Sequence, residues 1–318
     1  MHAITIERPG GPEVLRWTEV ADPAPGDGEV LIEVAAAGVN RADALQRQGN
    51  YPPPKDAPPY PGLEVSGRVR ELGPGVHGWH VGQEVCALLG GGGYAELVVA
   101  PAAQVLPVPQ KVDLVDAAGL PEVAATVFSN LVDLARLKPG ETLLVHGGGS
   151  GIGTFAVQLG KALGAEVVVT ARAAKHERLL KLGADRAIDY TSVDFAKEVQ
   201  ADVVLDIMGG PYLKQNVDVL KVGGRLVVIG LQGGRRGELD MGQLLTKRAL
   251  VAGTTLRGRS AAEKAAIVRG VREEVWPLLD EGMIRPVIDS RTPVTEAAEA
   301  HRLLESNEHF GKVLLTVG

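Results

Sequence analysis

The strongest constraint on this chain is a glycine-rich segment set between a short apolar run and an amphipathic stretch. Thr142-Leu143-Leu144-Val145 leads into His146-Gly147-Gly148-Gly149-Ser150-Gly151-Ile152-Gly153, after which Ile152, Ala156, Leu159 and Leu163 recur at helical spacing. A strand, a glycine turn and a helix in that order bring backbone amides and the positive end of a helix against a pyrophosphate. The dinucleotide fingerprint asks for glycines at i, i+2 and i+5. Those positions here are Gly148, Ser150 and Gly153, so a serine stands in for the middle glycine. Ser150, Gly151 and Ile152 then open the helix, and the Ser150 hydroxyl is expected to add a donor to the phosphate. A glycine turn without a ligand is the competing reading; the flanking strand and helix weigh against it.

The surrounding pattern repeats the motif. Glu166-Val167-Val168-Val169, Asp202-Val203-Val204-Leu205 and Arg225-Leu226-Val227-Val228-Ile229 are near-continuous apolar runs, the signature of parallel strands buried on both faces. Helical stretches alternate with them, including Lys175 to Leu182, so the middle of the chain predicts a doubly wound α/β sheet. The first 120 residues differ. They carry short strand-like runs, Val30 to Val34 and Val65 to Val69, separated by turn residues. Six of the ten residues from Pro52 to Pro61 are proline, which predicts a non-helical loop. Gly90 to Gly93 predicts a flexible turn. In the tail, Ala261 to Asp280 reads as one long helix ending near Gly282, Thr295 to Leu304 as a second helix, and Val313 to Val317 as a closing strand. The expected division is a discontinuous β-rich domain, 1–120 with 258–318, around a continuous nucleotide domain, 121–257.

Cofactor choice follows from the second strand of that domain. An NAD site usually places an acidic residue there to bond the ribose 2′-hydroxyl. The strand instead ends Val169-Thr170-Ala171-Arg172, with Lys175 close behind. Arg172 or Lys175 suits a 2′-phosphate, and cations at the start of a helix otherwise oppose its dipole, so NADPH is expected over NADH. Tyr190, after the next short strand, offers a further hydroxyl. The G-x-S-x-G nucleophile elbow is excluded, because the position that would need glycine is Ile152. His77 and His80 flank Gly78-Trp79 in a turn and read as surface residues. His146 reads as a packing or hydrogen-bonding residue.

Composition removes whole classes of function. Lysine plus arginine is 33 and aspartate plus glutamate 39, so the net charge is 33 − 39 = −6, which argues against a nucleic-acid backbone binder. Cys86 is the single cysteine, so disulfide frameworks and thiolate-rich metal sites are out. No apolar run is long enough to span a membrane, and the first residues carry no secretory pattern, so a cytoplasmic protein is expected.

Several segments, in order, resemble the medium-chain dehydrogenase/reductase superfamily: Ala37 to Asp43, Gln46 to Tyr51, Pro61 to Gly67, Leu120-Pro121-Glu122, the glycine loop 147–153, Asp206 to Gly210 and Gly311-Lys312-Val313. The set spans nearly the whole chain. It is most similar to the zinc-free NADPH:quinone oxidoreductases of the zeta-crystallin-like group, and within them to the tumour-suppressor-inducible subfamily. The resemblance implies a GroES-like β-rich catalytic domain plus a doubly wound Rossmann domain. Zinc-dependent relatives carry Cys where this chain has Asn40 and His where it has Leu63, so no metal is expected. The implied activity is transfer of reducing equivalents from NADPH to a quinone. The alternatives are an enoyl or alkenal double-bond reductase and a cofactor-binding sensor or structural protein with little turnover. Asn40 and Tyr51 are implied beside the nicotinamide and acceptor, and Thr126 beside the nicotinamide ribose or amide. Leu231 and Leu256 are implied at its border, and Asp43 as an orienter of the Asn40 loop. Lys312 is implied near the cofactor, with a surface ion pair as its alternative. Arg257 and Arg259 are left between the cofactor's phosphate side and a domain interface. A homodimer is implied, paired through the edge strand around Leu250 to Thr254.

Overall fold

The computed structural model describes residues 1–318 in full. Its contacts divide the chain into two units, 1–125 with 256–318, and 126–255. The second unit is a six-stranded, wholly parallel sheet. Its spatial order is Arg186–Ile188, Glu166–Thr170, Thr142–His146, Ala201–Asp206, Leu220–Val228 and Leu250–Gly253. Numbered along the chain this is 3-2-1-4-5-6, the doubly wound order. The apolar runs are buried on both faces, as a parallel sheet covered by helices requires: Leu143 to Val145, Val167 to Val169 and Val203 to Leu205 have no exposed surface. The order reverses between Thr142–His146 and Ala201–Asp206. The loops leaving those two strands meet there, where a Cβ on Gly147 would strike the Ile207 side chain. A switch point of this kind is where open α/β sheets bind ligands.

The first unit is built on a seven-stranded mixed sheet and a separate hairpin-like pair, His2–Ile6 with Leu15–Glu19. Its central strand is Glu29–Val39, flanked by Glu64–Leu72 on one side and by the closing strand Lys312–Thr316 on the other. The closing strand pairs antiparallel, Val313 opposite Val39, so the last residues of the chain complete the sheet begun by the first. The long tail helix departs from expectation. It runs Ala261–Gly270, widens through a π turn at Val271–Val275, and resumes at Trp276–Glu281 before Gly282 ends it at φ 78°. Pro277 has no amide for the preceding turn and its ring crowds the carbonyl four residues back, which a widened turn relieves. The second tail helix, Ala297–Ser306, begins two residues later than its periodicity suggested, after a 3-10 turn at Val294–Glu296. It buries Ala297, Ala300, His301 and Leu304 along one stripe. No helix is long and apolar enough to cross a membrane.

The proline loop and the glycine run are two halves of one packing unit. Prolines supply no amides of their own, and the glycine run with the tyrosine after it supplies them to the loop's carbonyls: Gly92 N donates to Tyr60 O at 2.9 Å and Tyr94 N to Pro61 O at 3.0 Å. A Cβ on Gly92 would lie 2.9 Å from Pro58 Cγ, and one on Gly91 3.1 Å from Pro58 O. The run expected as a flexible turn is therefore a closely packed bed for the loop that carries Tyr51. Gly92 also sits at φ 88°, where any side chain is strained. Gly92→Ala is expected to destabilise the protein by about 1–3 kcal/mol, read as a lowered urea midpoint; an unchanged midpoint would contradict this packing.

Candidate functional site

The parallel-sheet unit presents a cradle at the glycine loop. Its glycines make close approaches to different neighbours. A Cβ on Gly148 would lie 2.8 Å from Val169 Cβ, and one on Gly149 2.5 Å from Lys175 Cδ. A Cβ on Gly153 would strike the carbonyls of Gly147 and Gly148, so only glycine lets the helix start against the loop. Ser150 caps that helix, Gly151–Ala162: Gly153 N donates to Ser150 Oγ at 3.0 Å, and Oγ donates to Gly147 O at 2.8 Å. This corrects the expectation of an extra phosphate donor, because capping an orphan amide already engages the hydroxyl. The amides of Gly151 and Ile152 lead the helix and have no intrahelical carbonyl to bond. They and the helix dipole are what the loop offers an anion.

Lys175 lays its side chain across Gly149, with Nζ 3.4 Å from that glycine's Cβ position. Arg172 is exposed just beyond Glu166–Thr170, and Tyr190, 38% exposed, follows the neighbouring strand Arg186–Ile188. All three thus follow the C-terminal ends of adjacent strands. Thr126 is nearly buried, and its carbonyl accepts from Asn130 Nδ2 at 2.7 Å. Leu231 is half exposed beside Gly209. His146 is buried between Thr170 Oγ1 at 2.9 Å and Asn216 Oδ1 at 2.7 Å. Burial pushes it down to about 4, so it is a neutral packing residue.

Leu256 and Lys312 fall in the other unit. Lys312 is not on the surface. It is buried, donating to Glu64 Oε1 at 2.5 Å, Asn40 Oδ1 at 2.8 Å and Val39 O at 3.2 Å. This corrects the alternative reading of a surface ion pair: the closing strand carries Lys312 into the sheet interior, where only a carboxylate makes an ammonium tolerable. Glu64, without exposed surface, also accepts from Asn40 Nδ2 at 3.0 Å and, on its second oxygen, from Glu122 N at 2.9 Å. The Asn40 amide is thereby held at both ends, with a further contact to Gly38 O at 3.3 Å. Asp43 accepts from Asn40 N at 2.8 Å, Gly62 N at 3.0 Å and Tyr94 Oη at 3.1 Å, fixing the turn into the helix Arg41–Arg47. Burial nevertheless pushes its carboxyl up to about 6.

Tyr51 is half buried under the Arg257 guanidinium, 5.4 Å from the ring centroid. Arg257 is a brace within the β-rich unit: it donates to Gly90 O at 2.8 Å, Gln46 Oε1 at 2.6 Å and Tyr51 O at 3.4 Å. The Tyr51 hydroxyl makes no hydrogen bond to the chain. Burial raises its pKa, Arg257 opposes the rise and Glu122 adds to it. Glu122 leads the helix Pro121–Phe128 and keeps part of its surface exposed. Burial, then the nearby Glu64 charge, pushes its carboxyl up to about 8. Glu64, Glu122 and the nearly buried Lys264 escape notice in the sequence. The available signal was acidic residues inside apolar segments, Leu63-Glu64-Val65 and Pro121-Glu122-Val123.

These residues do not fit a zinc ion. Leu63 is an apolar buried side chain, and the Asn40 oxygen faces an ammonium that would repel a cation. No group of three or more His, Cys, Asp or Glu side chains is arranged to hold a metal. The glycine cradle with Lys175 across it does fit a nucleotide phosphate.

The alcohol dehydrogenase GroES-like domain family matches residues 26–110, and the zinc-binding dehydrogenase family residues 182–315. The quinone oxidoreductase of Rattus norvegicus is 30% identical over 99% of this chain and 97% of its own length. The human synaptic vesicle membrane protein VAT-1 homolog is 33% identical over 96% of this chain and 83% of its own. The polyketide synthase GfsB of Streptomyces halstedii is 34% identical over 99% of this chain, which spans 6% of that protein's length. The Escherichia coli quinone oxidoreductase complexed with NADPH superposes with a TM-score of 0.89 at 29% identity, each chain fully covered. The CurK enoyl reductase superposes with a TM-score of 0.88 at 28% identity, over 100% of this chain and 99% of that one.

Removing Lys312 alone leaves the Glu64 charge buried. Lys312→Met is expected to cost about 3–5 kcal/mol. Adding Glu64→Gln should recover part of that loss, giving a coupling of at least about 1 kcal/mol in denaturant unfolding. Strictly additive losses would show that the pair does not act as a unit.

Proposed function

Because the chain belongs to the medium-chain dehydrogenase/reductase superfamily, with a GroES-like and a Rossmann domain, we propose that it is a zinc-independent NADPH:quinone oxidoreductase. Its place is in the zeta-crystallin-like group, nearest the tumour-suppressor-inducible branch, acting in the cytoplasm. One observation carries this reading: the dehydrogenase scaffold retains the phosphate cradle but puts an amide and a leucine where zinc relatives have ligands. Without a Lewis acid, the acceptor must already be electrophilic, as a quinone is.

NADPH, when bound, supplies the hydride. Gly148, Gly151, Ile152 and Gly153 bring backbone to its pyrophosphate, with Ser150 holding the loop closed. Arg172, Lys175 and Tyr190 meet the 2′-phosphate, and Thr126, Leu231 and Leu256 border the nicotinamide. Tyr51 offers its unengaged hydroxyl to the acceptor oxygen and its ring to the acceptor plane. Asn40, fixed by Glu64 and Lys312, gives the acceptor a rigid polar floor. Lys312 acts through Asn40 here. The superposition on an enoyl reductase favours a second reading, reduction of an activated alkene on the same scaffold. The active species is a homodimer paired through the edge strand Leu250–Gly253, which lies at the end of the parallel sheet with Leu250 46% exposed.

Oxidation of NADPH is expected with ortho- and para-quinones and to be slower with enals and enoyl thioesters; turnover of the alkenes alone would overturn the quinone reading. Lys175→Ala and Arg172→Ala should each weaken NADPH binding by roughly 10- to 100-fold while leaving NADH nearly unchanged. Titration of both nucleotides by thermal shift checks this, and equal losses for the two would remove the 2′-phosphate role.

A further inference from the structure

We propose that Glu122 is the proton donor of the reduction, giving its carboxyl hydrogen to the oxyanion that hydride transfer leaves on the acceptor. The inference rests on the oxidoreductase reading above and adds the group that completes it. Three carboxyl groups gather in the β-rich unit, and they are not equivalent. Asp43 and Glu64 have no exposed surface, and each accepts three hydrogen bonds from the chain. Glu122 alone keeps exposed surface, and its carboxyl accepts no hydrogen bond from the chain. Its backbone is anchored all the same, because Glu122 N donates to the Glu64 carboxylate that also holds Asn40. The Asn40 amide and the backbone that carries the free acid are thus fixed to the two oxygens of one buried group.

Four charged groups act on Glu122. Glu64 and Asp43 raise its proton affinity, Lys312 and Lys264 lower it, and Tyr51 and Arg257 also feel its charge. Burial is the largest influence, and the balance holds the acid near 8. It is therefore protonated at pH 7 and titrates close to working pH, where general acids serve best. A phenol-like oxyanion, with an ordinary value of about 10, takes a proton from such an acid downhill. The step balances. NADPH is oxidised by loss of hydride and the acceptor gains two electrons and one hydrogen. The Glu122 O–H bond then breaks as a new O–H bond forms on the acceptor, and the carboxylate is reprotonated from water at its exposed edge. The Lys264 charge favours the carboxylate left behind.

The test compares the wild type with Glu122→Gln, Glu122→Asp and Lys264→Met. Turnover of NADPH with the best acceptor is followed from pH 6 to pH 9, with infrared titration of the carboxylic acid band in the absence of acceptor. The wild type should lose kcat above about pH 8. Glu122→Gln should lower kcat at pH 7 by about 100-fold, leave NADPH affinity unchanged and abolish the alkaline limb. Glu122→Asp should restore part of the rate and the limb. Lys264→Met should move the limb to higher pH, because removing a cation makes the acid hold its proton longer. A protonated-acid band present at pH 7 should be missing from Glu122→Gln. A wild type that turns over while Glu122→Gln keeps its rate and limb, or lacks no band, overturns the donor role alone. A wild type that fails to oxidise NADPH with any of the quinones or alkenes overturns the oxidoreductase reading and the donor role with it.

Discussion

The buried carboxylate of Glu64 is the constraint on which the β-rich unit turns. A charge placed there must be met by donors from the chain, and those donors come from three distant segments. The closing strand sends Lys312, the loop after the central strand sends Asn40, and the start of the helix Pro121–Phe128 sends a backbone amide. Room for the carboxylate exists only because residue 38 has no side chain; a Cβ there would overlap it. Satisfying one ion therefore fixes the ends of three elements at once, which an apolar core of the same volume would not do.

How much of this was legible in the sequence depends on whether the signal was local. The glycine loop, the apolar runs and the parallel sheet follow from short-range pattern, and the strands lie where the runs predict them. Ser150 stands in that loop, but its hydroxyl serves as a helix cap, which spacing alone does not distinguish from ligand binding. Lys312 and Glu64 are separated by most of the chain, so no window of sequence reveals that they pair. The π turn at Val271–Val275 had a visible cause in Pro277, yet the periodicity around it still read as one helix. Glu122 carried the weakest signal, one acidic residue entering an apolar helix.

The two units divide the chemistry in an orderly way. Backbone amides, a helix N-terminus and Lys175 come together at the glycine loop of one, and what such a loop offers a ligand is rigidity rather than proton affinity. In the other, burial sets neighbouring acids apart: Asp43 stands near 6 and Glu122 near 8, while Asp43 orients backbone and Glu122 keeps a dissociable proton. Carboxyl groups of the same kind are given different tasks by how many donors surround them.

Cys86, the chain's one thiol, has no exposed surface, and burial raises its pKa further. It should stay silent toward alkylating dyes in the native protein. A cysteine introduced at an exposed position would then be the only labelled site, with no need to remove a native one. One label on each unit would turn the molecule into a ruler, able to report the distance between the glycine loop and the Glu64 cluster as nucleotides and small molecules are added.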